Sequence, residues 1–329
     1  MSNRAVFLRL IFAACAVLVS LAMLFRPIPS ITAANDTGRY VANQLQACSL
    51  PALEDDSGTM AERAFYLLMR PTCLGGTPRI FLFCVAMAVP VALLVFANWN
   101  REGTLLLASG MLISTVGFEF MTNAMRQGAS MFFLLGGFYF KKRLPKIAFV
   151  VTALLLHDSS WFFAPLVILL AYGTGGLRKK TILLWAIPVL AGAGYLFTLR
   201  FLSENVQLST LFGLYSERYT EQLSMPFLLY IILPLFLVFG LRNSNRKDKP
   251  SKEERIVFWY SAALLALSIV IFPSITYRFA MTGITLQLFM AMRSSKLSVL
   301  SSASIGGAFI AHFMIYVFIS KNVMAVIHG

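Results

Sequence analysis

Charge is scarce in this sequence. Only 13% of its 329 residues are Asp, Glu, Lys or Arg, about half the roughly 25% of a soluble domain. Cysteine is scarce too, and four residues exclude a small disulfide-stapled scaffold. Three scattered histidines, with no CxxC or HExxH pair, offer no zinc site. The sequence has no Walker motif and no GxGxxG opening after a strand, so ATP-driven transport and dinucleotide chemistry find no support, and no cofactor is implied. What is abundant is apolar surface. Hydrophobic residues make up 58% of the chain, 29 of them Phe, and mean hydropathy is +0.74. So much apolar surface cannot stay hydrated, which excludes disorder. The composition predicts an all-α polytopic membrane protein forming a single integral membrane domain over residues 1–329.

Apolar runs fall at 5–25, 80–97, 104–121, 127–140, 147–157, 160–173, 181–199, 225–241, 256–273, 279–292 and 297–319, which predicts about eleven transmembrane helices. The first run follows Arg4 and resembles a signal peptide, but its 21 residues favour an uncleaved anchor. Lys141–Lys146 and Arg178–Lys180 flank the two ends of 147–173, and both clusters favour the cytoplasm. The region between is therefore predicted to cross twice, turning at His157–Ser160; one helix through it, and ten spans in all, is the alternative. The net charge of +14 would suggest a nucleic-acid partner in a soluble protein. Here it obeys topology instead, and no nucleic acid is implied. With a cytoplasmic N-terminus, the N-terminal segment with Arg4 and Arg9 and the segments 98–103, 141–146, 174–180, 242–255 and 293–296 hold 18 of the 28 basic residues and 4 of the 14 acidic ones. The remainder of the chain is neutral, so the entire excess lies on one side, as the positive-inside rule demands.

Two segments on the other side are long. Residues 26–79 form a large loop, in which Met60–Met69 reads as an amphipathic helix at the membrane face; residues 200–224 form the second. The basic 242–255 stretch reads as a solvated cytoplasmic loop. Cys48 and Cys73 share the large loop and form a disulfide if it faces an oxidising compartment. Cys15 and Cys84 lie inside helices and read as packing residues.

Ionisable groups near membrane depth are costly, so each is a functional candidate. Glu119, Arg126, His157, Asp158 and Arg278 qualify, and this topology puts all five at the same, non-cytoplasmic ends of their helices. Asp36, Arg39, Tyr40 and Glu62 share that side. Arg126, in Asn123-Ala-Met-Arg126-Gln127, starts one helix, and Arg278, after Tyr277, precedes another. A guanidinium beside free helix N–H groups makes an anion site, and two such sites suit a pyrophosphate. The plainer alternative is that each Arg snorkels to the interface or pairs with an acid. His157, after a fully apolar run, is a candidate general base. His312 and His328 look incidental.

In these residues the chain resembles the EpsG/Wzy group of bacterial polysaccharide repeat-unit polymerases. The resemblance rests on Asp36-Thr-Gly-Arg-Tyr40 followed by Glu62-Arg-Ala-Phe-Tyr66, on Asn123-Ala-Met-Arg126-Gln127, on the apolar run into His157-Asp-Ser-Ser160, and on Tyr277-Arg278, over about residues 30–290. The group usually has a small residue or Ser after the His; here Asp158 stands there. The resemblance implies a GT-C-like, metal-independent glycosyltransferase of the bacterial inner membrane that works at the periplasmic face on undecaprenyl-pyrophosphate-linked glycans within the lipid bilayer. A chain-length regulator is an implied partner. In this reading His157, Asp36 and Glu62 are the catalytic candidates. Arg126, Arg278, Tyr40, Tyr277, Gln127, Asn123 and Glu119 bind substrate. A simpler GT-C transferase, an O-antigen ligase and a glycan transporter or flippase remain as alternatives. Transporters more often carry a midplane site and internal repeats, and neither is visible here.

Overall fold

A computed structural model describes residues 3–25, 37–49, 60–75, 77–122, 124–157, 159–172, 225–244, 249–271, 273–294 and 298–319. Its helices are α1 (Asn3–Phe25), α2 (Thr37–Ser49), α3 (Met60–Met69), α4 (Pro78–Phe96), α5 (Glu102–Leu112), α6 (Thr115–Thr122), α7 (Met125–Tyr139), α8 (Arg143–Leu156), α9 (Ser159–Tyr172), α10 (Met225–Ser244), α11 (Lys252–Ile271), α12 (Pro273–Arg293) and α13 (Val299–Ile319), with a 3-10 turn at Arg70–Gly75. There is no strand among the described residues. By length and composition α1, α4 and α13 can each cross a membrane, and a bent α5–α6 pair makes a fourth span if taken as one. Ten of the eleven predicted apolar runs coincide with helices; the run 181–199 and the loop 200–224 lie outside the described residues. Helix α8 ends at Leu156 and α9 starts at Ser159, so the helices break within the predicted turn His157–Ser160, whose Ser159 and Ser160 belong to α9.

Several features depart from the sequence reading. The run 104–121 is not straight but breaks into α5 and α6 with a 55° bend. Ser114 makes the break. Its hydroxyl donates to the Met111 carbonyl at 2.6 Å and accepts the Gly117 N–H at 3.1 Å, so it satisfies groups that a helix end otherwise orphans. A Cβ at Gly117 would lie 2.4 Å from the Met111 oxygen, so the bend needs glycine there. The second departure is α2, an extra helix in the large loop. It buries Thr37, Gly38, Tyr40, Val41 and Gln44, a helical face too polar to stand out as an apolar run. Third, Cys15 and Cys84 are exposed rather than packing residues. They sit on α1 and α4, apolar helices that turn much of their surface away from the bundle. The expected Cys48–Cys73 disulfide is present, with its Cα atoms 5.6 Å apart. It ties α2 to the 3-10 turn, and the Gln44 amide reinforces it by donating to Thr72 Oγ1 at 3.0 Å and the Met69 carbonyl at 3.2 Å.

The chain divides into two compact units, Met1–Trp161 with Met292–Gly329, and Phe162–Ala291. In the first unit α1 and α4 run antiparallel, with the tilted Phe12 and Trp99 rings 5.2 Å apart and Ser20 Oγ 3.2 Å from Met87 Sδ. Helix α13 runs beside α5 and α6 in the same direction. A Cβ at Gly110 would fall 2.6 Å from the Gly306 Cα, so the α5 and α13 backbones touch. Helices α7 and α8 form a hairpin, with Phe140 4.9 Å from Phe149.

This unit has two chemically distinct ends. At one, Arg4 pairs with Glu102. The Phe96 ring lies 5.1 Å from Tyr139 and 6.0 Å from Phe140, and Arg293 donates to the Phe138 carbonyl at 2.7 Å. Four of the six basic segments therefore meet there. The opposite end holds the starts of α2, α4 and α7 and the end of α8.

In the second unit α10, α11 and α12 form an antiparallel succession. Phe239 stacks on Phe258 at 3.9 Å, a Cβ at Gly283 would lie 2.8 Å from Ser261, and Ser268 bonds Thr276 at 3.0 Å. The 242–255 stretch is not simply a solvated loop. Arg242 and Glu254 are buried, 1% and 4% exposed, and pair at 2.8 Å. Ser251 and Glu254 add a capping box, each side chain bonding the other's backbone N–H at 3.1 and 3.2 Å.

Candidate functional site

The polar end of the first unit is assembled around one apolar cluster. Tyr40 of α2, Phe65 and Tyr66 of α3, Phe81, Leu82 and Val85 of α4, Met125 and Ala129 of α7 and Leu156 of α8 pack together. Four helices that carry predicted site residues, α2, α3, α7 and α8, enter this cluster. Tyr40 is a member, Met125 precedes Arg126, Leu156 precedes His157, and Phe65 follows Glu62 by one turn. Thr37 Oγ1 also donates to the Thr122 carbonyl at 2.9 Å, fixing the start of α2 against the end of α6. Residues from 37 to 157 are thus gathered at one end by packing. Asp36, Asn123, Asp158 and His328 lie outside the described residues, as does the side chain of Glu62.

Arg126 is the second residue of α7 and only 9% exposed; Gln127 beside it is fully buried. No side chain caps α7 at Ala124. The turn from α6 is tight: the Ala124 N–H donates to the Glu119 carbonyl at 2.7 Å, and a Cβ at Gly128 would press on Phe120 at 3.1 Å. Arg126 thus stands at a helix start as the sequence predicts, held in a buried elbow.

His157 ends α8 in an extended conformation and is 5% exposed. The Ser159 backbone N–H donates to its Nδ1 at 3.1 Å, and the Ser159 hydroxyl lies 2.8 Å from the same atom. A backbone N–H can only donate, so Nδ1 is an acceptor. The neutral ring therefore carries its proton on Nε2. Ser159 and Ser160 are buried alongside, and the Ser160 N–H bonds the His157 carbonyl at 3.0 Å.

Glu119 is buried in α6, where the Tyr316 hydroxyl of α13 donates to its Oε1 at 2.9 Å. One turn earlier Thr115 Oγ1 lies 3.2 Å from His312 Nδ1, and Phe118 packs on Phe313 with ring centroids 5.7 Å apart. His312 is therefore not incidental. It belongs to a polar ladder in which residues four apart on α13 match residues four apart on α6. The shared spacing was the available signal, but only the fold aligns the two helices.

Arg278 and Tyr277 belong to the second unit. Helix α12 begins at Pro273, so Arg278 sits in its second turn rather than before it. The apolar run begins at 279, but Pro273-Ser-Ile-Thr276 supply a polar first turn led by a proline suited to N1. The free N–H groups of a helix lie in its first turn, so Arg278 lacks the dipole argument that Arg126 keeps. Half-buried, it donates from Nε to the Tyr277 hydroxyl at 3.3 Å, with its guanidinium 5.7 Å from that ring's centroid. The next residue, Phe279, packs on Phe162 at 4.8 Å.

The sequence model of the EpsG family matches residues 9–328. No curated protein and no solved structure matches the chain.

Proposed function

The chain belongs to the EpsG family of polysaccharide polymerase-like proteins, and on that premise we propose that it joins undecaprenyl-pyrophosphate-linked oligosaccharide repeat units into a polysaccharide, as a GT-C-like enzyme of the bacterial inner membrane. The observation that carries the proposal is the two-ended first unit. Basic segments meet at one end, and buried Arg126, Gln127 and His157 lie with Tyr40 at the other. By the positive-inside rule the basic end is cytoplasmic. The polar end then faces the periplasm.

In the proposed reaction an acceptor hydroxyl oxygen attacks the anomeric carbon of the donor glycan. The bond from that carbon to the lipid pyrophosphate breaks, and the hydroxyl proton passes to a base. The enzyme's main task is to hold the departing anion. Arg126, preorganised at the start of α7 in a poorly solvated elbow, supplies the charge and the forked donors that phosphate oxygens need. With its proton on Nε2, His157 is suited to donate to a substrate oxygen, and the base is then a carboxylate, Asp36 or Glu62. Tyr40, Gln127 and Glu119 are buried in the first unit; Asn123, and Tyr277 with Arg278 of the second unit, keep proposed substrate-binding roles on their sequence motifs alone. An O-antigen ligase or a single-sugar transferase would use the same groups. The polymerase is preferred because of the family.

The test is polysaccharide from cells lacking the gene, complemented at matched expression with wild type, Arg126→Ala, Arg278→Ala, His157→Ala and His157→Gln. Loss of a preorganised donor costs about 10²–10³ in rate, so Arg126→Ala is expected to leave single repeat units in place of a ladder. His157→Gln keeps a donor and is expected to retain more polymer than His157→Ala; equal loss in both would return His157 to the role of base. Intact ladders in every variant would sink the proposal and move the transporter ahead.

A further inference from the structure

A second concentration of positive charge lies at the other end of the first unit, on the α7–α8 hairpin. Arg293 donates to the Phe138 carbonyl in the last turn of α7, and its guanidinium lies 5.9 Å from the Tyr139 ring centroid. Beyond the loop 140–142 Lys146 stands in the first turn of α8, only 7% exposed, while Lys141, Lys142 and Arg143 remain at the surface. The two stretches that build this cluster, 120–157 and 255–329, contain no Asp or Glu. Burial, and then repulsion from Arg293, push the Lys146 ammonium below its ordinary pKa. A cation near the C-terminus of α7 is favourable for Arg293. That explanation does not extend to Lys146, which adds charge to the positive end of α8.

A separate observation points to the kind of anion. Leu144, Ile147 and Val151 are 80%, 51% and 45% exposed. Spaced three and four residues apart, they form an apolar row on α8 that starts in the same turn as Lys146. A soluble anion has no use for such a row, whereas a lipid needs a headgroup contact and an acyl-chain contact side by side. We propose that Lys146 and Arg293 bind the phosphate headgroup of an anionic phospholipid whose acyl chain lies along Leu144, Ile147 and Val151. This site is independent of glycan transfer and of which glycan the protein handles.

The test uses the full-length protein in nanodiscs of phosphatidylcholine alone or with about one-third phosphatidylglycerol, with retained lipids counted by native mass spectrometry. Each basic residue near a membrane surface contributes about a fivefold preference for anionic lipid. Lys146→Gln and Arg293→Gln are each expected to lower the phosphatidylglycerol preference by about that factor. Lys146→Arg and Arg293→Lys, which keep the charge, are expected to retain it, and they stand in if a Gln variant fails to fold. The exposed pair Lys141→Gln/Lys142→Gln is expected to change little. Equal loss in that pair would overturn the site in favour of diffuse surface charge. Inorganic phosphate that displaces phosphatidylglycerol and reproduces its thermal stabilisation in phosphatidylcholine discs would show a free-phosphate site instead.

Discussion

A carboxyl group sits inside the apolar bundle at Glu119 because Tyr316 donates to it at 2.9 Å. Removing that hydroxyl leaves a buried acceptor short of a partner, which costs about 1–3 kcal/mol. Tyr316→Phe is accordingly expected to lower the melting temperature in detergent, while Glu119→Gln, still an acceptor, loses less; an unchanged melt for Tyr316→Phe would show that the bond carries no net stability. The stakes are higher at Arg242–Glu254, where both partners are buried. Breaking one side of a buried pair costs about 3–5 kcal/mol because the other charge is stranded. Arg242→Met alone is expected to destabilise by that order, and the double variant Arg242→Met/Glu254→Leu to recover most of it. A double variant as unstable as the single would refute the stranded-charge account. At this scale the sequence shows which groups are out of place. Arg126, Glu119 and His157 stand out because they interrupt or end apolar runs. It does not show their partners, since Tyr316 is 197 residues from Glu119, nor that the Ser159 backbone fixes the proton of His157.

Helices follow the apolar runs closely, but their breaks and contacts obey glycine and serine chemistry that hydropathy does not register. The α5–α6 bend depends on Ser114 and Gly117, and the α5–α13 crossing on Gly110 and Gly306. A larger residue at Gly306 must push α5 away, because its Cβ would already lie 2.9 Å from the Leu106 carbonyl. Gly306→Leu is expected to destabilise the protein by more than the typical point-mutant cost of about 1 kcal/mol. It is also expected to loosen the α6–α13 ladder, read as faster hydrogen exchange over 115–122; exchange unchanged from wild type would refute the contact. The disulfide acts on the same scale by holding α2 to the 3-10 turn. Its loss in Cys48→Ser is expected to cost about 2–4 kcal/mol and to expose Cys73 to maleimide. The pairing was legible because two cysteines share one loop. Helix α2 was not, because its face is too polar to register as a run.

At the scale of the molecule, the first unit gathers basic segments at one end and buried polar groups, Arg126 among them, at the other. With Cys15 and Cys84 replaced by Ala, Lys142→Cys is expected to react with an impermeant thiol reagent only from the cytoplasm, and Thr77→Cys, at the start of α4, only from the periplasm. Labelling of both from one side would overturn the two-ended topology. Composition alone puts the chain in a membrane, because its apolar content permits no hydrated alternative. Its charge pattern also assigned the basic segments to one side, and four of the six meet at one end of the first unit. Composition does not reveal that Tyr40, Met125 and Leu156 enter one cluster, that Arg278 lies within a helix or that His312 faces Thr115; the packed fold does. Those outcomes depend on contacts between helices distant in sequence, and in a membrane such contacts are chosen by close packing and paired polar groups rather than by hydrophobicity.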